Sequence, residues 1–166
     1  SILCRIDFEV FVDSSVPSKI SELSKIEHQI CEASREWLDE VLGYLIEAHG
    51  ENVGRALYND YKEGFSPAYK DYYLPRSAVH DVKLFEASRK TGEASMSLYR
   101  LLEESADRIR FKLYLWSKTV QLSNVLPVLE NMGMYVVEER PYSVKHVTGG
   151  SIWMSDFGMK VGETFD

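Results

Sequence analysis

The sequence predicts an α+β chain: a helical segment of about four helices, then a sheet with one covering helix. Two observations carry this. Apolar residues recur at three- to four-residue steps from about residue 17 to residue 90, and mostly at two-residue steps from residue 94 onward. A third orders the second half. Residues 108–116, 122–133, 134–144 and 151–159 spell strand, helix, strand, strand without a break, the first three quarters of a ferredoxin-like βαββαβ unit. The second helix and last strand of such a unit do not follow, so the sequence reads as a fragment of something larger.

The elements follow in order. In residues 3–12, Ile6, Phe8, Val10 and Val12 alternate with Arg5, Asp7, Glu9 and Phe11, the period of a strand with one buried face. Pro17 and Ser18 open a long helix whose stripe is Ile20, Leu23, Ile26, Ile30, Trp37, Val41 and Leu45, stopped near His49 by Gly50. A second helix carries Val53, Leu57, Tyr58 and Tyr61 on one side as far as Gly64. Ser66 is the N-cap and Pro67 the first position of a short third helix through Tyr73. Ser77 is expected to cap a fourth, with Val79, Val82, Leu84 and Phe85, ending near Ser88. Residues 94–101 then form an extra strand, hairpinned to residues 108–116 through a short turn. Ser123 is the expected N-cap of the next helix, with Pro127 near its first turn and Val125, Val128, Leu129 and Met132 as its inner face. Gly133 supplies a left-handed stop, and residues 148–150 make a tight hairpin, so the sheet carries one helix layer.

Composition excludes several function classes. The 166 residues are 45% hydrophobic and 27% charged, ordinary for a folded soluble segment. With 19 Lys and Arg interspersed among 26 acids and a net charge of -7, neither a nucleic-acid surface nor an anionic-membrane surface is expected. No apolar run is long enough to span a membrane. Cys4 and Cys31 form no CxxC, and His28, His49, His80 and His146 lie far apart, which suggests a reducing cytoplasm and no metal site.

Other features have plain readings. Asp156-Phe-Gly158 spells a kinase magnesium motif, but without a Gly-rich loop or HRD segment it is expected to be a strand-end turn. The run Tyr58, Tyr61, Tyr69, Tyr72, Tyr73 is expected to be a packing face rather than a base-stacking platform. Glu63, Asp71 and Glu86 are expected to be solvated helix charges, and Trp116 and Trp153 core or interdomain contacts. No GxGxxG occurs, and no acid, base and nucleophile converge, so no catalytic, cofactor-binding or metal residue is assigned.

The segments "MSLYR" at 96–100, "RFKLY" at 110–114, "LSNVLPVLENMG" at 122–133, "ERPY" at 139–142 and "DFGM" at 156–159, with "YNDYKEGFSPAYKDYY" at 58–73 and "AVHDVKLFEA" at 78–87, resemble the N-terminal regulatory region of the large bacterial NAD-specific glutamate dehydrogenases. The resemblance implies a strand left over from a preceding ACT-like domain at 1–16, a helical linker at 17–92 and an incomplete ACT-like domain at 93–166. It also implies a noncatalytic regulatory or assembly role, with NAD and the oxidative deamination of glutamate belonging to the parent enzyme. The implied partners are the rest of that chain and other subunits of a homo-oligomer. The alternative is a stand-alone ACT-type module that senses an amino acid. In ligand-binding ACT domains a Gly sits in the loop between the first strand and helix; here that loop is residues 117–121, without one.

Overall fold

The computed structural model describes residues 23–102 and 104–161, with side chains from Glu36 onward. The strand expected at 3–12 and the helix start at Pro17 and Ser18 lie outside the described residues. The chain divides into two compact units, 1–33 and 34–166; of the first, only the start of a helix is described.

That helix, α1 (Leu23–His49), buries Trp37, Val41 and Leu45, a clean i, i+4, i+8 stripe. Next comes α2 (Glu51–Tyr61), where the expected face is partly corrected: Tyr61 is buried and Leu57 and Tyr58 pack on the core, but Val53 is exposed. Gly54 takes its place against the backbone of α1, because an added Cβ would lie 2.7 Å from Ile46. Short α3 (Pro67–Tyr72) is capped as expected, the Ser66 hydroxyl accepting from the Tyr69 N–H at 3.3 Å. α4 (Pro75–Thr91) starts earlier than expected. Pro75 is its first residue and Leu74 its N-cap, so Ser77 lies inside it.

The sheet holds β1 (Ser95–Tyr99), β2 (Arg108–Trp116), β3 (Met134–Lys145) and β4 (Ser151–Val161), all antiparallel, in the order β1-β2-β4-β3. Between β2 and β3 runs α5 (Leu122–Asn131), whose N-cap is Gln121 rather than the expected Ser123. Strands β2, β4 and β3 follow the order of the first three strands of a ferredoxin-like unit. The extra strand β1 holds the edge beside β2 that the last strand of such a unit would take.

Two cores sit on the two faces of this sheet. On one, Tyr114, Val144, Ile152 and Met154 pack against Trp37, Phe65, Tyr69, Val82 and Phe85 of the helical segment. On the other, Leu113, Phe157 and Met159 pack against Leu129 of α5. A bulge between Val136 and Glu138 switches the facing of β3, so Val136 serves the α5 core and Val144 the helical one. The expected inner face of α5 is corrected at two positions: Val125 and Leu129 pack inward, whereas Val128 is 57% and Met132 66% exposed. α5 leans toward β3, and these two side chains line a groove open toward β1.

Candidate functional site

Where the helical segment meets the sheet, the buried groups are charged. Asp81 of α4, 1% exposed, accepts from Lys112 Nζ of β2 at 3.0 and 2.8 Å, from Tyr69 Oη at 2.6 Å and from Tyr114 Oη at 2.8 Å. Asp156 of β4, fully buried, accepts from the Tyr73 hydroxyl, from Tyr99 Oη at 2.7 Å and from Arg110 Nε at 3.2 Å. Arg110, 1% exposed, also donates to Glu138. Lys112 Nζ lies 3.9 Å from the centre of the Tyr73 ring and 5.3 Å from that of Tyr99. Two carboxylates thus face two cations, and four phenols donate into the pair.

β geometry places these residues. Arg110, Lys112 and Tyr114 alternate along β2 and so share one face, opposite Gly158, Asp156 and Met154 of β4. Asp81 reaches them because it lies one turn before Phe85, which is buried against Tyr114. Burial first, then the neighbouring Asp81 charge, pushes the Tyr69 and Tyr114 phenols far up; burial and Asp156 do the same to Tyr73 and Tyr99. All four stay protonated donors. Asp81 accepts four hydrogen bonds, which fill the lone-pair positions of a carboxylate and leave none to take a proton from a substrate. The chemistry of this cluster is that of a joint.

Beside it opens a cavity of about 580 Å³ between α4 and β1, with Tyr73, Asp81, Tyr99 and Lys112 among its lining and Ser77, His80 and Ser97 among its polar residues. A second hollow, of about 620 Å³, lies along residues 117–121 with Asn124 and Trp153. Ser117 there has φ 51°, a left-handed conformation held by its N–H donating to the Ser151 carbonyl at 2.8 Å.

The residues singled out by sequence are scattered through this frame. Asp156-Phe-Gly158 lies inside β4, not at a turn, and its aspartate carries the joint. Tyr61, Tyr69 and Tyr73 are buried and Tyr58 partly so, as a packing face requires, with Tyr72 half-exposed over the Arg140 guanidinium at 3.8 Å. Glu63 and Asp71 are exposed, but Glu86 is not solvated: it is 9% exposed, accepts from Tyr61 Oη at 2.7 Å and is held by Arg89 at 2.7 and 2.8 Å. Arg89 is foremost in holding its carboxyl down at about 2. Trp116 packs on the helical core and Trp153 is partly exposed. His146 is buried against Tyr61 and Trp116, and His80 bridges to Ser97 at 3.2 Å; among the described residues no group of three His, Cys, Asp or Glu could hold a metal. No helix among them is long and apolar enough to cross a membrane. Sequence reasoning missed Asp81, Arg110 and Lys112. The available signal was two cations two residues apart inside a strand, which need buried partners if that face is covered.

Residues 93–166 match the model described as glutamate dehydrogenase, ACT3 domain, and residues 44–87 the one described as glutamate dehydrogenase, helical motif 2. The chain belongs to the NAD-specific glutamate dehydrogenase family. It is 31% identical over 160 residues, 96% of its length, to the NAD-specific glutamate dehydrogenase of Halomonas elongata, and 31% over its full length to that of Pseudomonas aeruginosa. With the Mycobacterium tuberculosis enzyme of the same name it shares 32% over 143 residues. It spans 8 to 10% of the length of these enzymes, so it corresponds to a small part of each. The β2–α5 connection, residues 117–121, has no glycine to let a pyrophosphate approach the backbone.

Proposed function

We propose that this chain is a noncatalytic regulatory and assembly segment of an NAD-dependent glutamate dehydrogenase, in which residues 17–92 belong to a helical linker and residues 93–166 to an ACT-like domain. The parent reaction is the oxidative deamination of L-glutamate to 2-oxoglutarate and ammonia with NAD, in the cytoplasm, and its chemistry resides elsewhere in the parent. The partners are the rest of that chain and the other subunits of a homo-oligomer. The observation that carries the reading is the commitment of the buried carboxylates Asp81 and Asp156 to joining helices and sheet. Groups committed in this way transmit position rather than protons.

The test has two arms. The purified chain, given glutamate and NAD, is expected to yield no NADH, and NADH production by it overturns the noncatalytic assignment. In the whole parent enzyme, Asp81→Asn is expected to alter subunit assembly, read by light scattering, while KM for NAD and glutamate stays within about twofold, a change of under ~0.5 kcal/mol. An intact oligomer with a raised KM for NAD would place the segment at the active site instead.

A further inference from the structure

We infer that the cavity between α4 and β1 binds a small monocarboxylate with an apolar or aromatic body. At about 580 Å³ it falls in the range of small-molecule pockets. It is also distinct from the strand-to-helix loop at residues 117–121. The inference stands on the cavity alone and not on the activity proposed above.

The lining selects the ligand. Leu74, Leu98 and the rings of Tyr73 and Tyr99 form its walls, suited to a flat or branched apolar body. At the floor is the Lys112 ammonium, which has three donors and, among the described residues, hydrogen-bonds only to Asp81. The carboxylate of Asp81 is saturated by four donors and offers a ligand no acceptor, and the Tyr73 and Tyr99 hydroxyls spend their protons on Asp156. The Ser77 hydroxyl and the His80–Ser97 pair, hydrogen-bonded to each other at 3.2 Å, add polar groups to the lining. An ammonium would find no uncommitted carboxylate at the floor; a carboxylate finds a cation. A dianion is disfavoured because the one floor cation already faces Asp81.

The experiment is isothermal titration of the full-length protein with 3-phenylpropanoate, its amide and 2-phenylethylammonium. Saturable binding of the acid is expected, with the amide at least about tenfold weaker, since hydrogen bonds to a charged group are the stronger ones. The ammonium compound is expected not to bind at this site. Ser97→Trp, which fills the cavity from the edge strand, should weaken the acid at least about tenfold, a loss of ~1.4 kcal/mol. His80→Ala, at an exposed position, repeats the test if the tryptophan variant fails to fold, with an expected loss of about threefold or more. Three results would overturn the assignment: no binding of the acid, unchanged affinity in the variant that folds, or ammonium binding that Ser97→Trp abolishes.

Discussion

Asp81 is 1% exposed, so its value to the fold depends on Lys112 and the two phenols. Removing one member of a buried pair leaves the other unpaired, which costs on the order of 3–5 kcal/mol. Asp81→Asn should therefore lower stability by about that amount, measured by urea unfolding, and Asp81→Leu with Lys112→Met should cost less than the two single changes summed. An additive double variant would mean the pair is not coupled. Glu86 provides the acid-side counterpart. Its carboxyl is held at about 2, below its ordinary 4.5, so it contributes stability above pH 4.5 that is lost as pH falls toward 2. Glu86→Gln should remove on the order of 1–3 kcal/mol at pH 7 and flatten the acid limb of the stability curve between those values. An unchanged acid limb would show that the Arg89 and Tyr61 contacts do not hold the charge. On the alkaline side the raised phenols contribute stability present below pH 10 and lost above it. The Arg89 contact is local, three residues along the same helix, but the burial was not legible: Glu86 meets Tyr61 from 25 residues away, and a helix sequence does not state how wide its buried face is.

At the scale of elements, the legible features were those set by one or two residues. Ser66 with Pro67 announced α3, Gly133 with φ 77° stopped α5, and Thr148-Gly-Gly turned β3 into β4. The inner face of α5 was half legible. Its apolar stripe is real, yet only Val125 and Leu129 find a floor, in Leu113, Phe157 and Met159, and sequence periodicity marks a stripe without saying what covers it. Leu129→Ala is expected to cost about 2–5 kcal/mol, while Glu130→Ala and Val128→Ala cost under about 1 kcal/mol as exposed positions do. Equal losses at 128 and 129 would mean that the groove is closed in solution. Gly64 was legible only as a helix end. The structure adds a reason: a Cβ there would lie 2.1 Å from the Lys145 carbonyl oxygen, where backbone meets backbone and neither yields. Gly64→Ala should cost about 2 kcal/mol or more, checked by the thermal midpoint, and a neutral result would show that the turn does not seat against β3.

Across the molecule, the order of helices and strands could be read from the chain, but not the docking of the helices onto the far face of the sheet. That docking depends on residues distant in sequence. Trp37 Nε1 donates to the Tyr73 carbonyl at 2.9 Å, Tyr73 to Asp156 of β4, and the Val147 N–H to the Asp60 carbonyl at 2.9 Å. Because Asp81, Tyr69 and Phe85 are buried by strands, the helices of residues 34–92 on their own would expose a charged and aromatic face. Residues 34–161 should consequently unfold as one cooperative unit, as single domains of this size usually do. Helix loss followed by far-UV circular dichroism and aromatic packing followed by near-UV should give the same urea midpoint. A chain of residues 34–92 alone should show no cooperative transition at all. Two separated midpoints, or a sharp melt of the helical piece by itself, would mean that the charged joint links two independent folds rather than completing one.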